Sequence, residues 1–436
     1  MARGWTLGSA SRSARRTKGA IVVFTAALVA AAGCSSSSGK NNGGGTIGTG
    51  SSAPGGGGSV ATKTITVGVL ADVTGLAASS SKTSIQGINA GVIYAKRHGY
   101  DVKYVVADTA TNPATALSGA QKLVTRDHVS VVIAHSAILF AASNYLTSHG
   151  VAVIGPGEDG PEWTKAKNMF SVFGAVHATK VADTLGRFFK ERGVTTVGAV
   201  GYSISPLSSE AAKSSVASAK SQGIKVGYLN ANFPFGSTDV APEVLAMKSA
   251  GVDGFTATTD PNTAFAFVTG LRQAGVTPKV SIFSTGYGGD LLQAGPGALN
   301  AAQNVYFSLT YEPVEMQTTA TKQFESDLKA AGVSGKPTYA EYNGYLSVGL
   351  LVQALKSTGG NAESAALISA MSGIHDWNAL GLFGSHSLDL NDRTSGVGGA
   401  DNCLWVTKLE GNDFKLVPGA DPICGTELKG VTVSAS

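Results

Sequence analysis

Ile65–Gly99 reads ITVGVLADVTGLAASSSKTSIQGINAGVIYAKRHG, and its two halves follow different periods. Ile65–Leu70 is a short run rich in β-branched and apolar residues, the pattern of a strand covered on both faces. Ser84–Arg97 instead sets Ile85, Ile88, Val92 and Ala95 along one helical face. Small and polar residues separate the two. A strand buried on both sides and followed by an amphipathic helix is the first half of a βα unit, the element from which parallel sheets are built.

The same alternation continues outward from this stretch. Val102–Ala107 reads as the next strand; Asn112-Pro113 then offers an N-cap and a proline at the first helical position, and the helix runs through Ala114–Arg126. Val129–Ala134, a helix around Phe140–Ser148, and Val151–Gly155 complete a first set. After the extended piece Phe170–Phe173, a second set comprises a helix over Lys180–Arg192, a strand at Thr196–Val200 and a helix over Ser208–Gln222. It continues with Ile224–Leu229, Ala241–Ser249, Gly254–Thr258, Thr263–Ala274 and Val280–Ser284. Strand starts at 196, 224, 254 and 280 have the spacing of βα units, while the units share pattern and not sequence, so a solenoid is excluded. The expected fold is α/β with two doubly wound lobes. The remaining pieces complete them: a strand at Val305–Leu309, helices over Thr319–Ala331 and Tyr339–Lys356, and a hairpin of Leu404–Lys408 with Phe414–Val417. The chain then crosses between lobes more than once.

Charge and composition bound the function. The 436 residues carry 33 basic and 29 acidic side chains, a formal net charge of +4. Arg3, Arg12, Arg15, Arg16 and Lys18 fall in residues 1–34, which hold no acid; without these five, 28 basic side chains face 29 acidic ones. No Lys/Arg cluster remains to make a nucleic-acid surface. The basic start precedes the apolar run Ile21–Ala32, whose helical length of ~18 Å is short for a ~30 Å hydrocarbon core, so it reads as a secretory signal over residues 1–33. Ala31-Ala32-Gly33-Cys34 resembles the bacterial lipobox, with Ala31 where Leu is commonest; on that resemblance Cys34 carries a diacylglycerol. An ordinary signal with a chance cysteine is the alternative, and Thr17-Lys18 after Arg15-Arg16 does not continue a twin-arginine motif. Residues 35–60 hold ten Gly and seven Ser and should behave as a flexible tether, with residues 34–62 taken together as lipid site and linker. In an oxidising compartment Cys403 and Cys424 can pair, closing a loop of about 20 residues worth ~3 kcal/mol on the loop-entropy account; two buried thiols are the alternative.

A search for chemistry finds no GxxxxGK[ST], HExxH or CxxC. Gly201–Ser205 lacks the second glycine of a nucleophile elbow, and no two of the seven histidines have metal-ligand spacing. These absences disfavour an enzyme and indicate no cofactor and no metal. His135, after a strand, could line a site, although a surface or loop position is the more ordinary one. In open parallel sheets ligands lie outside the carboxyl ends of strands. The corresponding loops are Ala71–Thr83, His135–Leu139, Pro156–Trp163, Tyr202–Leu207, Thr259–Asn262 and Thr285–Asp290. Their hydroxyls, amides, Asp residues and the aromatics Trp163, Tyr202 and Tyr287 suit a polar organic solute.

Ile65–Gly99, Val105–Gly157 with VVADTATNPATALSGAQKLV and HGVAVIGPG, Asn168–Phe173, and Tyr339–Gly359 with YAEYNGYLSVGLLVQALKSTG resemble the branched-chain amino-acid binding proteins of ABC importers. The similarity covers most of Lys63–Val417. It implies a type I periplasmic-binding fold with three hinge crossings, one lobe from 63–174 plus about 312–385 and the other from 175–311 plus about 386–436. It also implies a monomeric receptor, lipid-anchored outside the cytoplasmic membrane, that delivers a solute to a membrane permease driven by a separate ATPase.

The resemblance implies site residues as well. A first-lobe loop of hydroxyls matches Ser136 and Ala137, the following turn matches Gly157, Glu158 and Asp159, and Ser79 and Ser80 stand where a lid aromatic is common. Tyr202, Ser203, Thr259, Asp260 and Tyr287 lie in second-lobe loops on the cleft side. Glu158 and Asp159 would repel a ligand carboxylate, and no Glu stands in Ser284–Gly288 to meet an ammonium, with Asp260 a possible substitute. The expected solute is therefore no leucine-like zwitterion but a cationic, amide or polyhydroxylated compound; alternatively, the two acids merely cap the next segment. A receptor signalling to a membrane partner and a secreted hydrolase are the competing readings.

Overall fold

The computed structural model describes residues 63–433 except 158, 175, 177, 178, 294, 295 and 394–396. The leader, Cys34, the Gly/Ser tract and Glu158 lie outside the described residues.

The opening stretch folds into β1 (Lys63–Ala71) and the helix Ser84–Arg97, followed by β2 (Tyr100–Asp108), β3 (Val131–His135), β4 (Ala152–Gly155) and β5 (Met169–Ser171). They form one parallel sheet in the order β2-β1-β3-β4-β5, with Val69 of β1 beside Val106 and Ile133. Successive β1 residues point to opposite sides, and both sides are apolar. Val67 and Val69 join the cluster under Ser84–Arg97, while Leu70 meets Ala120, Leu123 and Leu146 of the helices Pro113–Thr125 and Phe140–Ser148. That is why the strand reads as continuous and not alternating.

The second sheet begins after β6 (Lys180–Ala182). It contains β7 (Thr196–Tyr202), β8 (Lys225–Phe233), β9 (Gly254–Thr258), β10 (Val280–Phe283), β11 (Tyr306–Leu309), β12 (Cys403–Glu410) and β13 (Asp413–Leu416), in the order β13-β12-β11-β10-β9-β7-β8. The strands from β8 to β11 run parallel, and the β12–β13 hairpin adds antiparallel at the edge. β14 (Ile423–Cys424) pairs with β12, where Cys403 stands opposite Cys424 and the two form a disulfide.

Between β11 and β12 the chain returns to the first sheet as the helices Thr319–Ala330, Tyr339–Ser357 and Ser364–Ser372. Two lobes joined by three crossings result. Glycine makes the return possible: a Cβ on Gly87 would lie 2.0 Å from the Glu341 carbonyl oxygen, and one on Gly344 would lie 2.2 Å from that of Ser84. The Ser84–Arg97 and Tyr339–Ser357 helices thus touch backbone to backbone. Asp327 braces them, paired with Arg97 and accepting the Tyr345 hydroxyl at 2.9 Å.

One expected element differs. Lys180–Arg192 is a helix only over Thr184–Glu191, because Lys180–Ala182 is strand, paired with β15 (Glu427–Thr432). The partner comes from the far end of the chain, so local periodicity carries no sign of it. Among the described residues no helix is long and apolar enough to cross a membrane.

Candidate functional site

Each sheet has one place where the strand order reverses, between β1 and β3 in the first and between β7 and β9 in the second. Loops leaving such a pair diverge to opposite faces and open a crevice at the carboxyl ends. A single cavity of about 280 Å³ lies against both reversals, lined by Asp72, His135 and Ser136 from the first lobe and Tyr202, Thr259 and Asp260 from the second. Its size suits one small organic molecule. The lobes meet at its rim, where the Ser205 hydroxyl donates to the Asp159 carbonyl oxygen at 3.2 Å.

Asp72 directly follows β1 and is completely buried. Its carboxylate accepts from the Ser136 hydroxyl at 2.7 Å, from the Ala137 N–H at 2.8 Å and from the Thr109 hydroxyl. Burial raises its pKa, and the three bonds work against that rise. Its place in the first cleft-side loop was the available signal, yet Asp72 was not among the expected site residues, since nothing local separates a lining carboxylate from a loop one.

His135 also lines the cavity, buried and not on a surface. Desolvation lowers its pKa to about 4, so the ring is neutral under physiological conditions. Nδ1 has no protein partner, as is also true of the Thr259 and Thr310 hydroxyls in the same lining. Buried polar groups rarely stay unpaired.

The other expected residues divide into two groups. Ser80, Ser136, Ala137, Gly157, Asp159, Tyr202, Thr259 and Asp260 are brought together in the lining. Asp159 is also used structurally: it accepts from the Phe140 N–H at 2.8 Å, where the Phe140–Ser148 helix begins, and from Trp163 Nε1 at 2.7 Å. Burial and the neighbouring Glu162 hold it well above the usual carboxylate range. Asp260 caps the helix Pro261–Gln273, accepting from the N–H groups of Asn262 at 3.0 Å and Thr263 at 3.2 Å, and bonds the Tyr202 hydroxyl. Ser79 is half-buried and off the lining, and Ser203 is exposed and off it.

Tyr287 departs furthest from expectation. It lies in the second-lobe core, its ring 4.9 Å from that of Phe414 and its hydroxyl on Glu315. Gly286 just before it adopts φ +86°, a turn that sends the tyrosine inward. Aromatic walls come instead from Trp163, Tyr202, Phe235 and Tyr339. No Lys or Arg is among the described lining residues, against the three carboxyl groups Asp72, Asp159 and Asp260.

Residues 64–413 match the profile of a family described as periplasmic binding protein. No curated protein matches the chain. Among solved structures, a solute-binding protein of an ABC transporter from R. palustris, in complex with 4-hydroxybenzoate, superposes with a TM-score of 0.66 at 20% identity, covering 81% of this chain and 96% of that one. A leucine-binding protein from Thermotoga maritima MSB8 has a TM-score of 0.66 at 17% identity, covering 81% and 97%. A possible leucine/isoleucine/valine-binding protein from Rhodopirellula baltica SH 1 has 0.67 at 13%, covering 82% and 97%. The fold is the type I periplasmic-binding fold expected from the sequence.

Proposed function

Because the chain belongs to the periplasmic binding protein family, we propose that it is the lipid-anchored receptor of an ABC importer for a small neutral or cationic organic solute. The observation that carries the solute class is the occupied cradle at the β1/β3 reversal. Asp72 consumes the Ser136 and Ala137 donors, and no described basic side chain in the cavity replaces them. A carboxylate guest at the cradle would meet the Asp72 carboxyl with both of these donors already taken. An amide, amine or polyol could instead use His135 Nδ1, Thr259 and Thr310, with its apolar body against Trp163, Tyr202, Phe235 and Tyr339. An aromatic wall also favours a cation.

The leucine and 4-hydroxybenzoate named for the structural neighbours are both carboxylates, so the test is direct. In a thermal-shift screen, amines, amides or polyols should stabilise the protein, by ~2.7 kcal/mol at 100 times the dissociation constant. Leucine and 4-hydroxybenzoate should not. Micromolar binding of either acid, unchanged in Asp159→Ala, would sink the solute reading while leaving the receptor reading intact. The anchor is tested separately: Cys34→Ser should release the exported protein from the membrane fraction.

A further inference from the structure

A second cavity, of about 270 Å³, adjoins the first. Pro156, Val176, Ala211, Thr310 and Tyr339 line both, so the two are separated by no more than the side chains they share. One helix runs along the pair. Leu207, Ser208 and Ala211 of Pro206–Ser221 border the first cavity, and Ala211, Ser214, Ser215 and Ser218 border the second. Positions three and four apart share one helix face, and at ~1.5 Å per residue this stripe extends ~16 Å. After Leu207 every side chain on it is Ser or Ala, which leaves a trough where larger residues would fill the space. The opposite wall comes from the hinge: Phe173 and Val176 lie between β5 and β6, Thr310 follows β11, and Val397 and Gly398 lead into β12.

The two cavities offer a guest different surfaces. In the first, His135 Nδ1 and the Thr259 hydroxyl have no protein partner. In the second, the Thr184, Ser214 and Ser215 hydroxyls donate to the carbonyl oxygens of Asn402, Lys180 and Ala211 at 2.8, 3.2 and 2.8 Å. The Ser218 hydroxyl accepts from the Gly186 N–H at 2.9 Å, and the Lys180 ammonium stands 3.5 Å from the Glu427 carboxylate. With those groups paired, the described lining presents apolar surface from Phe173, Leu185, Val397 and Leu404.

We propose that the two cavities are one site and that the solute is an amphiphile, its polar head in the first and an alkyl chain passing Ala211 and Thr310 into the second. Only the nature of the head rests on the solute reading above; the chain follows from the second cavity. Each methylene buried there adds a hydrophobic increment. Because the crossings wall this cavity, the chain also touches the segments that bend when the lobes close.

The experiment is calorimetry on the exported chain with Cys34→Ser, which removes the lipid. The probes are n-alkylamines, N-alkylacetamides and n-alkanoates, each with chains from ethyl to octyl. Affinity should rise about fourfold per methylene in the amine or acetamide series. Gly398→Leu fills the second cavity alone: a Cβ there would meet Val176 at an ordinary 3.6 Å. Ser215→Leu fills it from the helix side. Either variant should bind the ethyl probes as before and lose the gain from longer chains. A gain confined to the alkanoates, and lost in the filled variants, would sink the reading of the head while upholding the second cavity as the chain site. Affinity independent of length in all three series overturns the proposal. So does a gain that survives both fillings, or a loss equal for ethyl and octyl probes in both.

Discussion

Two hydroxyls on the cavity wall behave oppositely because one has partners and the other has none. The Tyr202 hydroxyl is bonded to Asp260 and lies 2.7 Å from that of Thr263. Tyr202→Phe should therefore cost about 1–3 kcal/mol in a denaturant titration, the range for leaving a buried partner unsatisfied. Thr259 Oγ1 is buried without a partner, so Thr259→Val should leave unliganded stability unchanged or slightly raised. Its solute affinity should fall by about 1 kcal/mol, roughly fivefold, in calorimetry. Unchanged affinity would remove Thr259 from the site. Both residues were legible as strand-end loop residues, but whether each hydroxyl was satisfied was not, because their partners come from other elements. Asp72 and Tyr287 make the same point in opposite directions, one drawn into the cavity and the other away from it.

Local signals are strongest at helix starts. Asn112 caps as its sequence suggests, accepting from the N–H groups of Ala114 and Thr115. Thr338 and Glu341 form a reciprocal capping box at the start of Tyr339–Ser357. Packing then alters what that glutamate does. Burial raises its pKa to about 7, so the folded state holds a proton that the unfolded state releases near the ordinary glutamate value of 4.5. Unfolding free energy therefore falls as pH rises from about 4.5 to about 7, by at most about 3 kcal/mol from this group. Glutamine retains the capping geometry without the charge. Glu341→Gln should match the wild type at pH 4.5 and exceed it by up to about 3 kcal/mol at pH 8, as read from urea midpoints; equal midpoints at pH 8 would refute the shift. His135 works the other way, its lowered pKa withdrawing stability as pH falls from about 6.5 to about 4. The misread segment Lys180–Ala182 is the counterpart at this scale, a strand only by virtue of β15.

For the whole molecule, the cleft and the disulfide give separate tests. Lobe closure on a solute is a hinge motion, so the radius of gyration from small-angle scattering should fall on saturation with a solute found in the thermal-shift screen. An unchanged radius would show that this structure is already as closed as the liganded one. Replacing both Cys403 and Cys424 with Ser should cost ~3 kcal/mol in a denaturant titration, since about 20 residues lie between them.

Ile65–Gly99 and its successors determined by themselves that the chain is α/β and doubly wound, because strand and helix periods and N-caps act over a few neighbouring residues. Tertiary structure alone decided which lining group is satisfied and which is free. It also decided that Asp72 takes the Ser136 and Ala137 donors, that Tyr287 turns inward and that His386 lies beside the disulfide. Each of these depends on a contact between residues distant in sequence, set by how the sheets and crossings pack, and no local period encodes it.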